Sequence, residues 1–222
     1  YFVHDQDGWR LKGHARRPML RWMASWAVAV RKPSDIGGDD TGYTLPGLSI
    51  IPEIVPYDVV PEGQLFATDL GGVGGRAKVR RETLADRVQR AADLVAAEPD
   101  EPWLLWCGLN DEADTLARLI PGAVNVHGSL TPEEKADRLL GFADGQIRVL
   151  ITKPSLAAFG LNWQHCARMA FVGINDSYES YYQAIRRCYR YGQTRPVHVH
   201  IITSDLESQI AANVARKERE AT

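Results

Sequence analysis

Cysteine is scarce in this chain of 222 residues: Cys107, Cys166 and Cys188 are far apart and odd in number. That excludes a disulfide framework and favours a reducing, cytoplasmic compartment. Long apolar runs are lacking as well. The longest, around Trp22 to Val30, is too short to span a bilayer, so no membrane role is expected. No charged-then-apolar leader opens the chain, and a start at Tyr1 suggests a piece cut from a longer protein. Charge of one sign does not accumulate either. A formal net charge of −2 gives no bulk attraction to nucleic acid, so any such binding needs a local basic face. His127, His165, His198 and His200 with the cysteines invite a zinc reading, but no CxxC or HxxxH spacing occurs, and no metal site is expected. Gly-Lys-Ser/Thr is absent too. The run Gly71-Gly72-Val73-Gly74-Gly75, with Arg76, Lys78, Arg80 and Arg81 behind it, therefore reads as a plain loop, not a phosphate cradle.

What is present is an ordinary globular composition, 45% hydrophobic and 24% charged, which excludes whole-chain disorder. Tyr1 to Pro61 is irregular. Its clearest element is a helix expected over Arg21 to Val30, where Trp22, Trp26 and Val30 recur every four residues. Pro46, Pro52, Pro56 and Pro61 then prevent a long helix, and Leu48 to Ile51 and Ile54-Val55 read as short extended pieces. From Thr83 the pattern is regular. Helices are expected over 83–97, 111–119, 131–143 and 177–189, and strands over 103–107, 123–127, 147–152, 168–172 and 197–203. Thr131, Pro132 and Glu134 form a capping box, and Ser204 with Glu207 opens a last helix. Alternating strands and helices predict an α/β domain, with a mostly parallel sheet covered by helices on both faces. The expected organisation is an arm, 1–61, followed by this domain, 62–222.

Parallel α/β sheets gather function at the carboxyl ends of their strands. Two stretches look loaded there. One is Ile151 to Gln164, with Lys153, Ser155, Asn162 and Gln164 as polar groups and Gly160 for close approach. The other is Tyr182 to Gln193. On one helix, Gln183 and Arg187 would lie four apart and Arg187 and Arg190 three apart, sharing a face. Arginines near a helix C-terminus complement its dipole, but two of them with a glutamine also make a fork for phosphate oxygens.

Gln183 to Arg195, QAIRRCYRYGQTR, resembles the last motif of Swi/Snf-type ATPases of helicase superfamily 2. Phe159-Gly160-Leu161-Asn162 resembles the motif before it, although Pro154 and Phe159 depart from the usual lead-in. Leu104 to Cys107, and His127-Gly128-Ser129 with Thr131 to Lys135 and Phe142, are similar to earlier pieces of the same lobe, in order and spacing. Trp22 to Asp35 with Tyr43 to Pro46 resembles the passage joining the two lobes in phage-type members. The resemblance implies a RecA-like second lobe of an ATP-dependent helicase or translocase in a bacterial or phage-infected cell. Arg187 and Arg190 would be arginine fingers, and Gln183, Gly160 and Asn162 would border ATP. Gly128, Ser129, Thr152 and Lys153 would face the nucleic-acid backbone. ATP and Mg²⁺ would be held mainly by a first lobe, and the nucleic acid would be duplex DNA, with RNA open. Such a lobe alone should hydrolyse no ATP. The alternatives are a stand-alone binding module that has kept this fold without the motor, and, more weakly, an unrelated nucleotide-binding α/β enzyme.

The remaining residues have plainer readings. Cys107, Cys166, Trp103 and Trp106 are expected in the core, and Tyr178, Tyr181 and Tyr182 as packing residues. Trp163 is open between core packing and exposed stacking. Asn175-Asp176-Ser177 matches a glycosylation acceptor, without a secretory signal to support it.

Overall fold

A computed structural model describes residues 1–5, 8–30, 32–56, 79–156, 161–173 and 178–205. The chain divides into two units, Tyr1–Thr44 and Leu45–Thr222. In the first, β1 (Phe2–Asp5) and β2 (Gly8–Leu11) pair antiparallel, with Phe2 opposite Leu11. The helix α1 (Arg16–Ala24) follows. This corrects the helix expected over 21–30. Ser25 Oγ donates to the Trp22 carbonyl at 2.6 Å, and the Ser25 amide donates to the same oxygen, so the ladder tightens and stops. The spacing of Trp22 and Trp26 survives as an edge-to-face pair with centroids 5.1 Å apart. Among the described residues of this unit only Ala15 is buried.

The second unit is a six-stranded sheet, all parallel, in the order β3-β8-β7-β4-β6-β5. Its strands are β3 (Leu48–Val55), β4 (Trp103–Cys107), β5 (Val124–Asn125), β6 (Val149–Thr152), β7 (Arg168–Val172) and β8 (Val197–Ser204). Its helices are α2 (Leu84–Ala97), α3 (Asn110–Leu119), α4 (Pro132–Ala143) and α5 (Tyr178–Ile185). The strand β3 lies within the expected arm of 1–61. It pairs with β8 along its whole length, from Leu48 opposite Val197 to Val55 opposite Ser204. Pro52 lies within it without breaking it, because β3 is an edge strand and a missing donor can face away from the ladder. Glu53 secures the edge by accepting from Arg90 Nη2 of α2 at 2.8 Å and by pairing with His200 Nδ1 at 2.9 Å. Those bonds outweigh its partial burial and hold its carboxyl below the ordinary value.

Central strands buried on both faces carry apolar residues without interruption, and each face takes alternate ones. Trp103, Leu105, Cys107, Val149, Ile151, Ala170 and Val172 pack with Val88, Ala91 and Val95 of α2 and Ala113 and Leu116 of α3. Leu104, Trp106, Leu150, Met169, Phe171, Val199 and Ile201 pack with Phe142 of α4 and Tyr181, Ala184 and Ile185 of α5. Helices therefore cover both faces, as expected. The capping box opening α4 forms: the Glu134 amide donates to Thr131 Oγ1 at 3.2 Å, and the Thr131 amide to Glu134 Oε2 at 2.8 Å. No helix among the described residues is long and apolar enough to cross a membrane.

Candidate functional site

Because every strand is parallel, the loops after β4, β5 and β6 emerge at one edge. There they surround a cleft of about 410 Å³ lined by Asn110, Asp114, Asn125, Gly128, Ser129 and Lys153, among others. Three of the residues expected to face a nucleic-acid backbone are thus brought together. Gly128 and Ser129 are exposed. His127 Nδ1 and Ser129 Oγ are 2.7 Å apart, and Lys135 Nζ donates to the Gly128 carbonyl at 2.7 Å. Lys135 thereby joins Lys153 at this edge as a second cation, a pairing that no sequence spacing announces. Thr152 is a correction. Its side chain is buried, and its hydroxyl donates to the Val126 carbonyl at 3.2 Å, which ties β6 to the loop that carries Gly128. It supports the cleft without lining it.

The second stretch departs from the expected geometry in two respects. The helix expected over 177–189 is α5, which ends at Ile185. Arg187 and Arg190 therefore lie on the turns that follow, not on one helix face with Gln183. Beyond Ile185 the Arg187 and Cys188 amides donate to the Ala184 and Ile185 carbonyls at 3.2 and 3.1 Å, a tighter three-residue step, while the Arg187 carbonyl accepts from the Trp163 amide at 2.9 Å and the Cys188 carbonyl from Gln193 Nε2 at 3.3 Å. Cys188 and Tyr189 meanwhile enter the core. The stretch also does not sit at the carboxyl edge. It runs back toward the residues that enter β4 and β7, where Arg195 Nη1 donates to both oxygens of Glu101 at 2.9 and 2.8 Å and Gln193 Nε2 donates to the Cys166 carbonyl at 3.0 Å.

On this turn the three arginines differ. Arg186 lies over the rings of Tyr182 and Tyr189, 4.7 and 5.0 Å from their centroids, a cation–π arrangement that anchors the turn. Arg187 is mostly buried. Burial, and next the nearby charge of Arg190, hold its guanidinium below the ordinary arginine value. Asn162 is exposed one residue before Trp163, and the Trp163-to-Arg187 bond ties its segment to the arginine turn. Gln183 is exposed on α5. Gly160 lies outside the described residues, as do the glycine run 71–75, the Asn175 acceptor and all but the first two residues of the last expected helix. Trp163 itself is fully buried, its ring edge-to-face with Phe142 at 5.4 Å, so it packs the core and is not a stacking platform.

One buried arrangement escaped the sequence reading. Arg87 and Glu112 form an ion pair with 0% and 1% of their side chains exposed. Arg87 Nε also donates to Thr83 Oγ1 at 3.2 Å. Glu112 Oε2 accepts from the amides of Gly108 and Leu109, each at 2.9 Å, and so caps α3 at the end of β4. Gly173, at the end of β7, has φ +84°, and a Cβ there would come within 2.7 Å of Arg87 Nη1. The pair therefore sits beneath the carboxyl edge. Burial, and next the Glu112 charge, push the Cys107 thiol well above its ordinary value, so Cys107 is an inert core group. On helices 25 residues apart, the two look in sequence like solvated charges.

Residues 86–192 match the family described as Helicase conserved C-terminal domain. No curated protein matches the chain in sequence. Among solved structures, the C-terminal domain of the DEAD-box protein Dbp5 is similar with a TM-score of 0.53 at 18% identity, over 60% of this chain and 78% of that one. A DEAD box protein from the hyperthermophile Methanococcus jannaschii gives 0.52 at 19% identity, over 61% of this chain and 37% of that one. The C-terminal part of the Fun30 ATPase domain gives 0.50 at 18% identity, over 58% of this chain and 44% of that one. At these identities the likeness is one of fold, and the chain spans less than half of the last two. The sheet and its helices have the RecA-like architecture of a helicase C-terminal domain.

Proposed function

We propose that this chain is the second motor lobe of a Swi/Snf-type, superfamily 2 ATP-dependent DNA helicase or translocase. ATP would bind chiefly to a first RecA-like lobe, with Gln183, Gly160 and Asn162 bordering it from this side. Closing the cleft between lobes would bring Arg187 and Arg190 to the terminal phosphate. Arginines so placed offset the charge that develops in phosphoryl transfer, an effect of about 10³–10⁵ in rate. Mg²⁺ would be held mainly by the first lobe as well, with the ATP. Gly128, Ser129 and Lys153 would contact the DNA backbone with little sequence readout. Repeated closure and opening would then move the lobe along that backbone. The expected arm, 1–61, whose described residues include the unit Tyr1–Thr44, would be the tail of the first lobe or the linker between lobes.

The observation that carries this reading is the arginine turn. Arg187 is mostly buried on a turn outside α5, its carbonyl bonded to the Trp163 amide, while the Arg190 carbonyl accepts from the Gln193 amide, so both arginines leave one tied turn next to the segment of Asn162. The family match at 86–192 also includes both arginines. The test is ATPase activity of the full-length protein with and without duplex DNA or RNA, comparing wild type with Arg187→Ala. A fall of at least 10³ in kcat with a modest change in KM is expected, by the finger magnitude above. An unchanged rate removes the finger assignment, and stimulation by RNA alone removes the DNA assignment. The present chain by itself should show no ATPase. An Arg187-dependent activity from it would refute the two-lobe reading.

A further inference from the structure

We infer that Gln193 is a positioning residue for the arginine pair, an inference that rests on the reading of Arg187 and Arg190 as phosphate-facing. Gln193 is buried, and a glutamine side chain offers two N–H donors and one carbonyl oxygen with two lone pairs. All four are used. Nε2 donates to the carbonyls of Cys166 at 3.0 Å and Cys188 at 3.3 Å, and Oε1 accepts from the amides of Thr194 at 3.0 Å and Arg195 at 2.9 Å. Its own amide donates to the Arg190 carbonyl at 3.0 Å.

These bonds are not spread at random. The Cys188 carbonyl follows Arg187 directly, so Gln193 holds the backbone beside one arginine with its side chain and that of the other with its amide. The Cys166 carbonyl belongs to the segment that carries Asn162. Gln193 thus bridges the two pieces proposed to meet the nucleotide, beside the Trp163-to-Arg187 bond. Gly192 makes the reversal possible: at φ +90° the chain doubles back so that the next side chain points into the turn just completed. No common residue replaces this amide. Glutamate keeps the acceptors and loses both donors, and alanine leaves two carbonyls and two amides without it. The arginines lie outside any helix, so their placement depends on such ties, and an error of about 1 Å in a catalytic group can cost about 10²-fold in rate.

The test uses the full-length protein with saturating duplex DNA, comparing wild type, Gln193→Ala, Gln193→Glu, Arg187→Ala and the double variant Gln193→Ala/Arg187→Ala. Gln193→Ala is expected to lose about 10- to 100-fold in kcat, by the same displacement argument, with the KM for ATP little changed. The double variant should lose clearly less than the product of the two single losses, since without Arg187 only the placement of Arg190 is left for Gln193 to support. Gln193→Glu should be slow when ionised and recover reversibly as the pH falls and its carboxyl regains a donor proton, relative to wild type over the same range. Circular dichroism of the same preparation, unchanged over that pH range, separates the recovery from a fold that tightens as the carboxylate is neutralised. Wild-type kcat in Gln193→Ala, a multiplicative loss in the double variant, or a Gln193→Glu profile parallel to wild type overturns the inference. Wild-type kcat in Arg187→Ala instead overturns the arginine reading on which it rests.

Discussion

The sharpest stability prediction concerns Arg87 and Glu112, whose side chains are 0% and 1% exposed with Nη1 and Oε1 2.5 Å apart. Removing one partner strands the other charge in the core, which costs about 3–5 kcal/mol. For a chain of this size about 1 kcal/mol moves the melting temperature by about 2–4 °C, so Arg87→Met or Glu112→Leu should lower it by about 6–20 °C. The double variant is predicted to be less damaging than either single one, because a buried pair replaced by apolar residues of similar volume is often neutral. Recovery should be incomplete. Glu112 also accepts from the Gly108 and Leu109 amides, and losing that helix cap leaves a deficit of about 1 kcal/mol. Calorimetry and urea titration of the four proteins complete the cycle. Two mild single variants, or a double variant as unstable as the two losses added together, would refute the reasoning.

At the cleft, Lys153→Ala should weaken DNA binding and reduce the slope of log affinity against log salt by about 1, as for one phosphate contact. Thr152→Val, which removes a buried hydrogen bond, should cost about 1 kcal/mol of stability and leave affinity unchanged, and equal weakening of binding by the two would refute the placement of Thr152. Burial, and next the charge of Arg195, hold His165 below its ordinary value of 6.5. The unfolded chain then takes up a proton at His165 before the native one does. Its stabilising contribution is complete above pH 6.5 and declines as the pH falls below that value through the lowered native one. An NMR titration of His165 with a midpoint at or above 6.5 would contradict this.

Much of the fold is legible in the sequence because its signals are local. β4 and β7 have the expected bounds, since a fully buried strand is a short apolar run with nothing to blur its ends. The start of α4 is equally plain, since Thr131, Pro132 and Glu134 satisfy the helix end among themselves. β3 was harder to place. A strand with proline at its centre resembles a loop until its neighbour is known, and the pairing with β8 places Pro52 opposite Ile201 on an edge strand, where proline is tolerated. Trp163 shows the same limit from the other side: its burial depends on Phe142 and Trp106, 21 and 57 residues away in the chain.

By itself the sequence determined the α/β class and the grouping of Gly128, Ser129 and Lys153 as loop residues after strands. Each is a matter of residue type and short-range spacing. Tertiary structure alone decided how the arginines are presented. Helical periodicity would carry Arg187 and Arg190 on one face with Gln183, yet α5 stops at Ile185 and the turns beyond it are tied to the Trp163 amide and the Gln193 side chain. Tertiary structure also brought Arg87 to Glu112 and turned Thr152 inward. The physical reason is common to all three. A hydrogen bond or ion pair in the core is chosen by which segments the sheet order makes neighbours, and that order is not written in any local stretch of chain.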